Sequence, residues 1–261
     1  MTGRDLPRRL LAELVGSGLL VTVVVGSGIA AQRLSPSQVG LQLLENSTTT
    51  IFGLAVLILL FGPVSGAHFN PVVSAVDWWL GRRAGSGLSG RDVLAYTCAQ
   101  VTGAVGGAIL ANVMFGLAAV EVSHKPRIGV GLWVGEVVAT AGLIALIMAL
   151  ARTGRAALSA TAVGAYIGAA YWFTSSTSFA NPAVTVGRVF SDTFAGIAPA
   201  SVPGFVIAQL VGGALGAGLI VVLYPDVGVA AAQVVVPHSI TADLEAHHQD
   251  QSELVRRRHR D

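Results

Sequence analysis

Apolar residues occur along this chain in six long runs that are separated by short polar segments. The runs lie at about 10–31, 47–65, 93–118, 130–151, 156–177 and 203–224. Each is long enough to cross a hydrocarbon layer of about 30 Å as a helix. Backbone groups in such a layer must be satisfied internally, and no alternating pattern indicates a β-barrel. The pattern therefore predicts an all-α membrane protein with six transmembrane helices.

Composition agrees with this prediction. Hydrophobic residues make up 53% of the chain and charged residues 11%, with a mean hydropathy of +0.68, which excludes an ordinary soluble domain. The single cysteine, Cys98, has no partner for a disulfide within the chain. No motif of a catalytic, nucleotide-binding, nucleic-acid-binding or metal site is present. We therefore predict no enzyme, no cofactor, no bound metal and no nucleic-acid partner.

Positive charges are distributed unevenly among the segments between the spans. If the N-terminus lies inside, 12 of the 16 Lys and Arg residues fall on the cytoplasmic side. The other four are Arg33, Lys125, Arg127 and Arg188. Because cytoplasmic loops are enriched in these residues, we predict a cell (plasma or inner) membrane protein with both termini cytoplasmic. Residues 1–225 form its membrane domain, and we expect residues 226–261 to be a disordered cytoplasmic tail.

Two halves of the chain, at about 10–118 and 130–224, repeat several features in the same order. The repeated features are the acids Glu13 and Glu136, the Asn-Pro steps at Asn70 and Asn181, and the glutamines Gln100 and Gln209, which are followed by glycines at Gly103, Gly107, Gly212 and Gly216. Three spans separate the members of each pair, so the second half is inserted upside down. Such an inverted repeat predicts a transport site where the halves meet, and the glycine spacing predicts close helix packing.

Each Asn-Pro step predicts a helix that begins at membrane depth, because asparagine favours the N-cap and proline the first turn. The two boxes are Asn70-Pro71-Val72 and Asn181-Pro182-Ala183. From Pro71 to Leu80, 10 residues make about 15 Å of helix, which is half a span. Two such half-helices from opposite faces would meet at the midplane.

The backbone before each box should be extended and line a water-filled path, since irregular backbone survives at this depth only beside water or protein. The pore-lining backbone is predicted at Gly66, Ala67, His68 and Phe69, and at Ser178 to Ala180. The intramembrane acids leave two interpretations open. Glu13 and Glu136 either accept hydrogen bonds from the backbone freed at the breaks, or carry protons in a transporter.

The paired boxes, the Ser65-to-Phe69 lead-in and the repeated glutamates resemble the aquaporin, or major intrinsic protein, family over about residues 10–224. The resemblance implies a right-handed bundle of six helices and two re-entrant half-helices, with a pore in each subunit of a homotetramer. It further implies passive conduction of water and small neutral solutes across a lipid bilayer, past the side-chain amides of Asn70 and Asn181. The alternative is a proton-coupled secondary transporter that uses Glu13 and Glu136.

Several departures from the family pattern concern the selectivity filter. Val184 follows the second box where most members have arginine, and Val72 ends the first box instead of alanine. The filter candidates are Val184, Ala169 at a position usually histidine, Ser178 with Phe179, and either Phe52 or Thr50. We expect Arg188 to be a solvated loop charge rather than a vestibule residue. The filter is therefore predicted to be wide and weakly cationic. The chain also resembles a bacterial subgroup associated with arsenic resistance, which suggests passage of glycerol-sized solutes or arsenite.

Overall fold

The computed structural model describes residues 5–82 and 86–225. Its α-helices are α1 (Leu6–Leu34), α2 (Val39–Ser65), α3 (Pro71–Gly81), α4 (Gly90–Met114), α5 (Val130–Arg152), α6 (Ser159–Phe173), α7 (Pro182–Gly187) and α8 (Val202–Leu223). Short 3-10 turns lie at Ala156–Leu158, Arg188–Phe190 and Pro199–Ser201. The tail predicted at 226–261 lies outside the described residues.

Six of these helices, with α6 and α8 extended by the 3-10 turns before them, are long and apolar enough to cross a membrane. The remaining two, α3 and α7, begin at the prolines of the Asn-Pro boxes and are too short to span it. The predicted all-α fold with six spans and two re-entrant half-helices is therefore confirmed. The chain is a multi-pass membrane protein.

Glycines allow the paired helices α1 with α4, and α5 with α8, to approach closely. A Cβ added at any of four glycines, Gly103, Gly107, Gly212 and Gly216, would overlap a carbonyl oxygen of the neighbouring helix. The contacts join Gly103 to Leu14, Gly107 to Gly18, Gly212 to Val137 and Gly216 to Ala141. The glycine spacing thus gives the same helix pairing in both halves of the repeat.

The half-helices lie between these pairs. Each of α3 and α7 packs against both α4 and α8, and the two also contact each other. Val72, at the end of the first box, packs its Cγ1 against Gly213 of α8. The larger residue in this box is therefore accommodated by a glycine on the neighbouring long helix.

Candidate functional site

A cavity of about 90 Å³ lies between the two halves, which is several times the roughly 10–15 Å³ that one water requires. Its wall is largely aliphatic, with residues from α1, α2, α5 and α6. Both box asparagines also line it, as do the residues before each box, which we call the two lead-in segments (66–69 and 178–180): Gly66, Ala67, His68, Phe69, Asn70, Ser178, Phe179, Ala180 and Asn181. The structure thus brings together the two breaks that the sequence places 111 residues apart, at 70 and 181.

The backbone before each box was predicted to be extended, but in the structure it is not extended throughout. Ala67, Phe69, Ser178 and Ala180 each have φ of 50°, in the left-handed region. Such a conformation costs a non-glycine residue about 1–2 kcal/mol. Alternating conformations of this kind turn successive N–H groups toward one anion. In each half of the repeat, that anion is the carboxylate of a glutamate, Glu13 or Glu136.

Glu13 is fully buried in α1 and binds the first lead-in segment. Its carboxylate accepts hydrogen bonds from the backbone N–H of His68 at 3.0 Å and of Phe69 at 2.8 Å. Ser65 Oγ donates to it at 2.6 Å and Gln100 Nε2 at 2.8 Å. All four donors belong to the first half of the repeat, so this carboxylate fixes the backbone that precedes Asn70.

Glu136 of α5 makes the matching contacts in the second half. It is fully buried and accepts from the backbone N–H of Phe179 and of Ala180, both at 2.8 Å, and from Gln209 Nε2 at 2.6 Å. Neither Glu136 nor Glu13 lines the cavity. The geometry matches the backbone-supporting interpretation, and it places neither glutamate of the proton-carrying alternative on the path.

The box asparagines cap their half-helices and also bind each other's segment. Asn70 Oδ1 accepts from Val72 N at 2.9 Å, and Asn181 Oδ1 accepts from Ala183 N at 2.9 Å. Asn70 Nδ2 donates to the carbonyl of Ala180 and Asn181 Nδ2 to that of Phe69, each at 2.7 Å. One amide hydrogen of each asparagine is therefore committed to the opposite half, which leaves the second for a solute.

The other box residues lie behind the cavity surface. Val72 and Ala183 are buried, and Pro182 is buried as well. None of these three, nor Pro71, lines the cavity. The boxes therefore present only their asparagine side chains to the path, while the remaining residues set the direction of the half-helices.

Two of the filter candidates are corrected by the structure. Thr50 is 2% exposed and lines the cavity, whereas Phe52 is 67% exposed on the outer surface. Ala169 also faces outward, and Ile167 and Tyr171 of the same helix line the cavity. A shift of two residues turns a helical side chain by about 200°. Counting back through the non-helical residues before Asn181 did not preserve that register.

The remaining filter candidates also line the cavity. Val184 is buried on α7, and Ser178 and Phe179 belong to the lead-in segment. The hydroxyl groups of Tyr171 and Thr50 lie 3.3 Å apart, within hydrogen-bonding distance. We call this part of the wall the Arg188 end of the cavity. It consists of Arg188 with Thr50, Tyr171, Ser178, Phe179 and Val184.

Arg188 itself is not a solvated loop charge. Its side chain is buried, 2% exposed, and lines the cavity. The guanidinium carbon lies 3.4 Å from the centre of the Phe179 ring, and Nε donates to the carbonyl of Ala195. The turn that follows α7 therefore places an arginine at this end of the cavity, which the prediction of a weakly cationic filter did not include.

Two further cations lie close by in the loop that connects α4 to α5. Arg127 lies on the Phe179 ring with its guanidinium carbon 4.9 Å from the ring centre, and its Nε donates to the carbonyl of Gly196 at 2.9 Å. Burial lowers the pKa of Lys125 to about 8 and that of Arg127 to about 10. Both groups therefore remain mainly protonated at neutral pH.

Comparison with known proteins decides the family. A sequence model described as Major intrinsic protein matches residues 2–180. The chain belongs to the major intrinsic protein family. As a member of it, the chain is a membrane channel and not an enzyme.

Relatives support the assignment. The chain is 51% identical over 208 residues to "Aquaglyceroporin AqpS" of Rhizobium meliloti (strain 1021), covering 80% of this chain and 86% of that protein. It is 32% identical over 248 residues to "Glycerol uptake facilitator protein" of Pseudomonas aeruginosa, covering 80% and 85%. The X-ray structure of the aquaglyceroporin from Plasmodium falciparum superimposes with a TM-score of 0.60 at 20% identity, over 86% of this chain and 99% of that chain. This last likeness shows the shared fold.

In this member of the family, the repeat includes supporting side chains that the sequence analysis missed. Ser65 Oγ accepts from Ala67 N at 3.1 Å, and Ser176 Oγ accepts from Ser178 N at 3.2 Å. Gln100 and Gln209 also donate to equivalent hydroxyl groups, those of Ser74 and Thr185. These serines and threonine obey the 111-residue offset of the asparagines. Extending the repeat comparison to every polar residue would have found them.

Proposed function

We propose that the chain is a passive channel for water and small neutral solutes, which cross the membrane through the cavity between the half-helices. The observation that carries this proposal is the pair of crossed bonds from Asn70 to Ala180 and from Asn181 to Phe69, each 2.7 Å long. They hold the two asparagines in one cavity wall, where each keeps an amide hydrogen for a passing oxygen.

Neutral solutes are favoured by the charges at the centre. The N-termini of α3 and α7 meet at the crossed asparagines, and a helix N-terminus carries about half a positive charge. Cations are therefore opposed there, while most of the wall is aliphatic and offers an ion no compensating groups. A neutral solute needs only the few donors and acceptors that the lead-in segments provide.

Glycerol-sized solutes are the proposed substrates beside water. Val184 adds a small aliphatic side chain to the cavity wall, and the names of the relatives above include an aquaglyceroporin and a glycerol facilitator. We extend the proposal to arsenite, a neutral hydroxide at physiological pH, because Val184 directly follows the second box, as in the subgroup that the chain resembles. We further propose a homotetramer in the inner membrane with both termini cytoplasmic, on the resemblance and the charge distribution.

Stopped-flow light scattering on proteoliposomes tests the proposal. Water, glycerol, urea and arsenite are supplied to vesicles with the protein and to empty vesicles of the same lipid. A passive channel equilibrates each conducted solute at a rate that does not change when a pH gradient is imposed. Accumulation of a solute against its gradient, driven by the pH difference, would contradict the proposal and restore the transporter that uses Glu13 and Glu136.

A further inference from the structure

Arg188 is the one cavity-lining arginine in the part of the chain that the structure describes. It follows Val184 by four residues, which is about one helical turn or 6 Å. Its ring contact with Phe179 and its Nε bond to Ala195 hold the guanidinium from two sides. Its position is therefore set by the loop around it and by the lead-in segment, which are outside regular helix.

The outer part of the guanidinium has no partner among the described residues. Nε donates to Ala195, whereas neither Nη1 nor Nη2 has an acceptor, and no ion pair of Arg188 is found in residues 5–82 and 86–225. An arginine has five N–H donors, so four remain. Because a buried charged group without hydrogen bonds is unfavourable, these donors require oxygen atoms that enter the cavity.

Arg127 also contacts the Phe179 ring, but its role is structural. It does not line the cavity. Its nitrogens donate to the carbonyls of Gly196, Ser176 and Phe194 at 2.9, 3.5 and 3.4 Å. The two arginines thus share one aromatic contact and differ in where their donors point. Those of Arg127 are used by the protein.

We propose that Arg188 is the specificity-determining cation of this channel. Lying one turn after Val184, it supplies the positive charge that position 184 lacks. Its free Nη donors bind the acceptor oxygens of passing solutes. This inference rests on the proposed function. The guanidinium fork binds two oxygens side by side. Solutes with neighbouring hydroxyl oxygens, such as glycerol, are therefore favoured over urea, which offers one oxygen and two amino groups. The fixed charge excludes cations.

The test compares Arg188→Leu, Arg188→Lys and the double variant Val184→Arg/Arg188→Leu with the wild type, as full chains in proteoliposomes. Glycerol and urea fluxes are measured in the same vesicles, and sodium leak is measured under an imposed potential. Arg188→Leu should lower the glycerol-to-urea ratio about tenfold, the size of one lost hydrogen bond to a charged donor, and should admit sodium. Arg188→Lys should keep sodium out but lose part of the ratio, because an ammonium lacks the fork.

The double variant separates a filter role from a structural one. An arginine at 184 restores a guanidinium to the cavity from one turn earlier in the chain, so sodium exclusion should return. An unchanged ratio and no sodium leak in folded Arg188→Leu would overturn the inference. If that variant does not fold, a wild-type ratio in Arg188→Lys would overturn it. A wild type that conducts neither solute would instead contradict the proposed function itself.

Discussion

The side-chain amide of Asn181 donates a 2.7 Å hydrogen bond to the carbonyl oxygen of Phe69, 112 residues earlier in the chain. The reciprocal bond runs from Asn70 to Ala180. Each asparagine therefore caps its own half-helix through its oxygen and joins the opposite half through its nitrogen. The two halves of the repeat are fastened at the point where a solute passes, so conduction and the fastening depend on the same side chains.

Replacing Asn181 with Asp should separate these roles. An aspartate oxygen can still accept from Ala183 N and preserve the cap, but it has no donor for the Phe69 carbonyl or for a solute. A buried carbonyl left unpaired costs about 1–3 kcal/mol. We expect water and glycerol flux in Asn181→Asp to fall at least about tenfold, measured per folded protein in proteoliposomes.

Asn70→Asp is the matched control for this change, since it removes the equivalent donor to Ala180. The two variants should lose water and glycerol flux to a similar extent. Wild-type flux in a folded Asn181→Asp protein would show that the asparagines act only as helix caps.

Glu13→Gln tests whether the buried acid supports backbone or carries protons. Both carboxylate oxygens accept hydrogen bonds from Ser65, His68, Phe69 and Gln100. A glutamine amide would turn a donor toward two of them, and each unpaired buried group costs about 1–3 kcal/mol. The thermal unfolding midpoint in detergent should therefore drop, in parallel with water flux. A fully stable variant that has lost only pH-driven solute uptake would favour the transporter alternative instead.

The closely packed glycines allow a direct comparison within one helix. A Cβ at Gly107 would overlap the carbonyl of Gly18, whereas a Cβ at Gly106 would meet no atom within 4 Å. Overpacking of this kind costs about 1–3 kcal/mol. Gly107→Ala should lower the thermal unfolding midpoint, and Gly106→Ala should leave it unchanged. Equal midpoints for the two variants would contradict the α1 to α4 contact described above.

Local signals account for what the sequence predicted correctly. The six apolar runs and the Asn-Pro starts of α3 and α7 are continuous stretches of sequence, and the repeated acids follow from comparing the two halves, so all of them could be found without a structure. Which face of a helix a residue occupies, toward the cavity or toward the outer surface, could not be found in the same way. Ala169 was assigned by counting back from Asn181 through residues that are not helical, and the rotation per residue is not constant there.

Arg188 illustrates a second limit. In the sequence it lies at the end of a short predicted half-helix, a position where a charge is usually solvated. The groups that bury it are the Phe179 ring, nine residues earlier, and the Ala195 carbonyl, seven residues later. Both belong to irregular backbone, and the left-handed residues beside Phe179, Ser178 and Ala180, are not glycines that the sequence would reveal. The charge of the filter therefore became visible only with the fold.

The last prediction concerns Val184, the cavity-lining residue of α7 one turn before Arg188. Val184→Arg places a long cationic side chain in the path and narrows it. Solutes larger than water should lose permeability first, so glycerol and arsenite flux should fall at least about tenfold while water flux falls less. Val184→Met is the matched control, because it adds length without charge or donors. Water and glycerol uptake are measured in the same vesicles for each variant.

Arg188 determines how this change is tolerated. Two guanidinium groups one turn apart in a cavity repel each other, so Val184→Arg alone should unfold at a lower temperature than the wild type. Adding Arg188→Leu removes the second charge, and the midpoint should recover while glycerol flux stays low. If glycerol passes at the wild-type rate in both folded variants, the side chain at 184 does not reach the narrow part of the path. In that case the solute range of this channel is set elsewhere along the cavity.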